Sequence, residues 1–193
     1  MHSSKIFDYH HALLLASILR HQGITVRLRA GFARYYEKEA KVRFGHVVCE
    51  VLDSDNQEWI LIDPDRNIID VKRERFEAPS QAWQHFYNTD YRSIRYVSST
   101  GEGFQALIHA LLMDHSFVIV NERNYWHTPT FVYRKDFNLN DLKADQIQLI
   151  EKIAESMNEP DNKLSELQIL YDNNPFIHSH ERSLMNYYEK NED

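Results

Sequence analysis

The sequence predicts an α+β fold, one central helix packed on an antiparallel sheet with a helical C-terminal extension, and three observations carry that reading. Residues 8–21 hold Ala12, Leu13, Leu14, Leu15, Ile18 and Leu19, an apolar surface wide enough for a largely buried helix. Residues 24–32 alternate in period two, with Ile24, Val26, Leu28, Ala30 and Phe32 on one face. Two further apolar stretches follow, 44–52 and 59–62, and the short tips between them favour antiparallel pairing of consecutive strands. A helix this apolar needs a sheet to lie against, and the strands supply one.

Taken in order, Asp8 suits an N-cap, because its carboxylate can accept the free amides of a first helical turn. Gly23 stops the helix after the basic pair Arg20 and His21. A polar tip at 37–41 precedes the second strand, and Asp53-Ser54-Asp55-Asn56 forms the next turn. After Asp63 the chain reads as irregular. Residues 80–86 predict a short helix capped by Ser80 beyond a boundary at Pro79, and 103–114 an amphipathic helix. The run 117–121 fits a strand or a continuation of that helix. Residues 140–157 predict a further helix, Pro160 ends it, 164–171 begin another, and 186–193 read as a frayed tail. The organisation expected is a core over residues 6–76 with a mainly helical extension, 77–193, packed on it.

Composition narrows the function classes. The chain has 193 residues, long enough for a sizeable core, and its 42% hydrophobic and 26% charged content is ordinary for a globular protein. A formal charge of -7 argues against a nucleic-acid partner. Arg27 and Arg29 alternate with apolar residues, which points to a solvated or helix-facing strand face and not to a basic stripe. One cysteine, Cys49, excludes an internal disulfide and suits a reducing cytoplasm. No apolar run approaches the roughly 20 residues that span a bilayer, so no membrane is expected. The opening MHSSKIFDYHH lacks the order of a secretory signal.

Chemistry concentrates in spaced motifs: Arg20-His21-Gln22-Gly23-Ile24, Arg27-Leu28-Arg29-Ala30-Gly31-Phe32, His46-Val47-Val48-Cys49-Glu50 and Trp59-Ile60-Leu61-Ile62-Asp63. Downstream come Asp70-Val71-Lys72-Arg73-Glu74-Arg75-Phe76, Ala82-Trp83 and Leu170-Tyr171. Together these resemble the transglutaminase-like superfamily, more narrowly a bacterial group of unassigned function with that core. The resemblance implies a papain-like fold and acyl transfer through a thioester, in which Cys attacks a carbonyl, His moves protons and Asp orients the imidazole. Carried over by position, His46 and Asp63 match the family's His and Asp. Counting back from Arg20 without a gap puts Asp8 at the nucleophile position, where the family has Cys, and Tyr9 and His10 replace the Arg and Asp that follow it. The helical segment that usually precedes this motif is absent as well.

An aspartate at a helix start is a good cap and a poor acyl-transfer nucleophile, so a divergent protein lacking thioester catalysis is expected. Two alternatives stay open: an amide or peptide hydrolase or acyltransferase using His46 and Asp63, and an incomplete enzyme whose Cys lies on an upstream segment. Cys49 does not replace the nucleophile, since it lies three residues from His46 on one strand and points to the opposite face. Metal binding by Asp8, His10, His11, His46 and Asp63 is disfavoured. No HExxH-like spacing is present, and the adjacent His10 and His11 project about 100° apart on a helix. No cofactor is implied; the implied ligand is a peptide or small amide. The aromatic cluster Trp83, Phe86, Tyr87, Tyr91 and Tyr96 is expected to pack the extension on the core.

Overall fold

The computed structural model describes residues 8–36, 41–88, 94–123, 129–134 and 136–178. Helix α1 (Asp8–His21) closes at Gly23, whose φ of 80° is the left-handed value that favours glycine. It lies on the sheet through Tyr9, Ala12 and Ala16. Leu14 and Ile18 stand 62% and 48% exposed, which corrects the expectation of a largely buried helix. The contact runs along one face of small side chains, and the outer apolar stripe faces outward.

Among the described residues, seven strands form one sheet: β1 (Val26–Ala33), β2 (Val42–Asp53), β3 (Glu58–Asp63), β4 (Ile68–Ile69), β5 (Phe76–Glu77), β6 (Arg95–Ser98) and β7 (Gly101–Glu102). Their order is β4-β3-β2-β1-β5, with β6 added to β2 and β7 to β6. All pairs are antiparallel except β2 with β6. The irregular stretch expected after Asp63 contains β4, and the extension expected to be mainly helical contributes β6 and β7 to the sheet. Leu28 lies opposite Cys49 and Gly31 opposite His46. Residues opposite one another share a face, so Leu28, Ala30, Val47 and Cys49 face one side while Arg29, Gly31, His46 and Val48 face the other.

The first face packs against α1 and the end of α3 (Phe104–Val118), with Tyr9, Ala12, Leu28, Cys49 and Phe117 in one apolar cluster. Helix α3 continues through Phe117, settling the strand-or-helix alternative there. It is buried on nearly every side, so the expected amphipathic stripe is not what holds it. The helix α2 (Pro79–Asn88) starts at its proline, while Asn138 caps a separate turn at Leu139–Asp141 and α4 (Ala144–Ser156) follows. Pro160 opens α5 (Pro160–Asp172), because a missing amide costs nothing in a first turn. Trp83, Phe86 and Tyr96 pack with Phe32, Phe104 and Leu111 in the largest cluster. The side chains of Tyr87 and Tyr91, most of the 37–41 tip and the 186–193 tail lie outside the described residues.

Buried ion pairs fasten the layers. Arg29 reaches both oxygens of Asp114 on α3 at 2.9 Å, and the same carboxylate accepts the Ala30 N–H. Arg29 thus stands on the face away from α1 and reaches Asp114 around the edge of β1, where the Ala30 amide also meets it. Among the described residues no helix is long and apolar enough to cross a membrane.

Candidate functional site

Strand β2 pairs with β1 from Phe44 to Val51, but its other edge is shared between two neighbours. β6 covers positions 42–44 and β3 covers 49–53. His46 sits in the interval between them. Asp8, at the head of α1, fills the gap: its Oδ2 accepts the Val47 N–H at 3.0 Å and lies 2.8 Å from His46 Nδ1. The expected capping carboxylate is therefore turned onto the sheet.

Asp63 closes the other side. The pairing of Cys49 with Ile62 puts Asp63 beside Val48 on the face of His46, and its Oδ2 lies 2.8 Å from His46 Nε2. Tyr35 donates its hydroxyl to the same oxygen at 2.7 Å, and the Arg66 N–H reaches Oδ1 at 3.1 Å. Asp63 is fully buried. Burial pushes its carboxyl up, but the hydrogen bonds and charge of His46, with Tyr35 and the Arg66 amide, hold it below the usual carboxylate range.

His46 is 5% exposed with a carboxylate at each ring nitrogen. A neutral imidazole has one N–H and would leave its second nitrogen lone pair against a carboxylate, so this arrangement calls for the doubly protonated ring. Burial pulls the pKa down. The hydrogen bonds and charges of Asp63 and Asp8 outweigh it and bring the pKa to about 9.

Sequence reasoning finds Asp8, His46 and Asp63, and the structure brings all three together. It misses a tyrosine pair. Tyr35 and Tyr36 lie on the short turn Arg34–Tyr36 after β1, their rings 5.2 Å apart, and Tyr36 lies edge-on to His46 at 5.0 Å. The Tyr36 hydroxyl donates to Asp65 at 3.2 Å, and His11 Nδ1 lies 2.9 Å from the other oxygen of Asp65. Burial raises both tyrosine pKa values. The signal for these residues was the doublet one turn beyond a strand end and the second acid of Asp63-Pro64-Asp65.

A small cavity of about 90 Å³ opens beside the triad, lined by Asp8, Gly31, Gly45, His46, Ser98 and His109 among others. Cys49 is on the opposite face, where its thiol donates to the Ala12 carbonyl at 3.1 Å. Burial pushes that thiol up to about 12, which keeps it protonated and inert. Among the described residues, no three His, Cys, Asp or Glu side chains are arranged to hold a metal ion. No protein-family model matches the chain, and neither a curated protein nor a solved structure matches it.

Proposed function

We propose that the chain is a transglutaminase-like protein of papain-like fold whose acyl-transfer site has become a fixed Asp–His–Asp ion triad. It acts without thioester chemistry, as an accessory protein that binds a peptide or small amide, in the cytoplasm. The observation that carries this reading is Asp8 Oδ2 at 2.8 Å from His46 Nδ1, at the helix head where the resemblance expects sulfur. The order of helix, strand and strand matches the order the resemblance implies, and the second contact, His46 to Asp63, has the length of a working orienting bond.

The same contacts argue against catalysis at neutral pH. A general base needs a ring nitrogen free to accept a proton, and both nitrogens of His46 already donate to carboxylates. A sulfur supplied from a preceding segment would need the place beside Nδ1 that Asp8 fills. The neighbouring cavity has room for a small polar group such as a side-chain amide.

Asp8→Cys tests the reading. If the site descends from a Cys-His-Asp triad, the new thiol forms an ion pair with His46, and iodoacetamide labels it rapidly near pH 6; adding His46→Ala removes that labelling. A thiol that reacts only near its ordinary pKa of about 8.5 would sink the resemblance. Separately, turnover of amide or ester substrates by the unaltered protein, lost in His46→Ala, would replace this reading with a hydrolase.

A further inference from the structure

A second constellation lies on the same sheet face as His46, four residues and about 13 Å along β2. Glu50, 1% exposed, meets three guanidinium groups: Arg27 at 2.6 Å, Arg29 at 3.0 Å and Arg73 at 2.6 Å. A cleft of about 250 Å³ opens over them. Two helix starts bound it, Ser80 and Gln81 of α2 and Pro160 and Asp161 of α5.

The charge balance favours an anion. Arg27, Arg29 and Arg73 face Glu50 and Asp161 in the cleft, while Asp114 pairs Arg29 from behind. Side-chain charges therefore cancel, and two helix N-termini of about half a charge each leave an excess of about one positive charge. Two further features point inward. Ser80 lines the cleft and is 2% exposed, and no hydrogen bond of its hydroxyl is made among the described residues. The first-turn amides of Ser80 and Gln81 have no acceptor within the helix.

The cleft already holds one oxyanion of its own chain. Asp161, with a side chain 54% exposed, reaches Arg27 at 2.5 Å and the Trp59 indole N–H at 2.9 Å. Its exposure lets it swing out, and its departure raises the positive excess to about two, the charge of a phosphate dianion.

We propose that this cleft is a phosphate-binding site, taking free phosphate or a phosphate monoester between Arg27, Arg73 and Ser80 in place of the Asp161 carboxylate. A tetrahedral oxyanion has enough acceptors for two guanidinium forks, the free hydroxyl and the first-turn amides, where a carboxylate has two oxygens. The site does not depend on the state of the His46 triad.

Calorimetric titration of the full chain with inorganic phosphate, phenyl phosphate and acetate at fixed ionic strength tests it. Saturable binding of either phosphate, weakened about tenfold by Arg73→Gln, is expected from the loss of a charge-assisted contact. Ser80→Ala weakens it less, and Asp161→Asn strengthens it by removing the internal competitor. Arg73 is 55% exposed on its side chain, so its replacement leaves the fold intact, which a thermal melt verifies. Preference between the two phosphates tells free anion from monoester. No saturable binding, acetate binding as well as phosphate, or affinity unchanged in Arg73→Gln (an adventitious ion only) overturns the proposal.

Discussion

His46 is a side chain with two N–H groups and two carboxylates to receive them, and its chemistry follows from that match. Its folded pKa of about 9 lies above the roughly 6.5 of an unfolded histidine, so the folded protein holds the proton more tightly. The stabilisation is fully present below about pH 6.5 and is lost as pH rises through about 9, a change of about 3 kcal/mol. Urea unfolding near pH 6 and near pH 9.5 measures it. Asp8→Asn, which removes one acceptor charge, shrinks the fall between the two conditions, and an unchanged fall would refute the assignment to His46. At this scale the three triad positions were reached through the motifs that resemble the transglutaminase-like pattern. The sequence showed Tyr35 and Tyr36 only as a doublet past a strand end, since their role depends on how the chain turns after β1.

Among the elements, β1 and β2 were legible because eight paired positions carry a period-two pattern. β4, β5 and β7 have two residues each and β6 has four, too few to show any period, and β6 is recruited by the free edge of β2 from far along the chain. Helix α3 reads as amphipathic only if one side meets solvent, and here α1, the sheet and the later helices surround it. A close contact holds β5 in place: a Cβ on Gly31 would stand 2.7 Å from the Phe76 ring and 2.8 Å from the Glu77 carbonyl. Gly31→Ala is expected to cost about 1–3 kcal/mol by overpacking. Hydrogen exchange should show early loss of protection at Phe76 and Glu77, with α1 still protected; protection unchanged at β5 would contradict it.

For the whole molecule, ion pairs tie distant parts of the chain: Arg29 to Asp114, Arg20 to Glu122 and Arg27 to Asp161. Met113 and Phe117 of α3 complete the same cluster as Tyr9, Ala12 and Leu28. The boundary expected near residue 76 separates strands from mainly helical chain, while the sheet and its packing run across it. A chain ended at residue 76 should therefore fail to fold alone, since Arg29 would lose Asp114 and the α3 side of the sheet would be bare. Its Cys49, fully buried in the complete protein, should react at once with a disulfide reagent, whereas the full chain reacts only on unfolding. Slow labelling and a cooperative melt in the fragment would show the opposite.

The break between β3 and β6 bears on how the protein meets other chains. An uncovered strand edge offers amides and carbonyls to any extended segment that arrives. In this notch the Val47 amide is already taken by Asp8, and an incoming strand would bring its carbonyl up against a carboxylate. Asp8 thus also guards the sheet against a guest strand where β3 and β6 leave the edge of β2 uncovered.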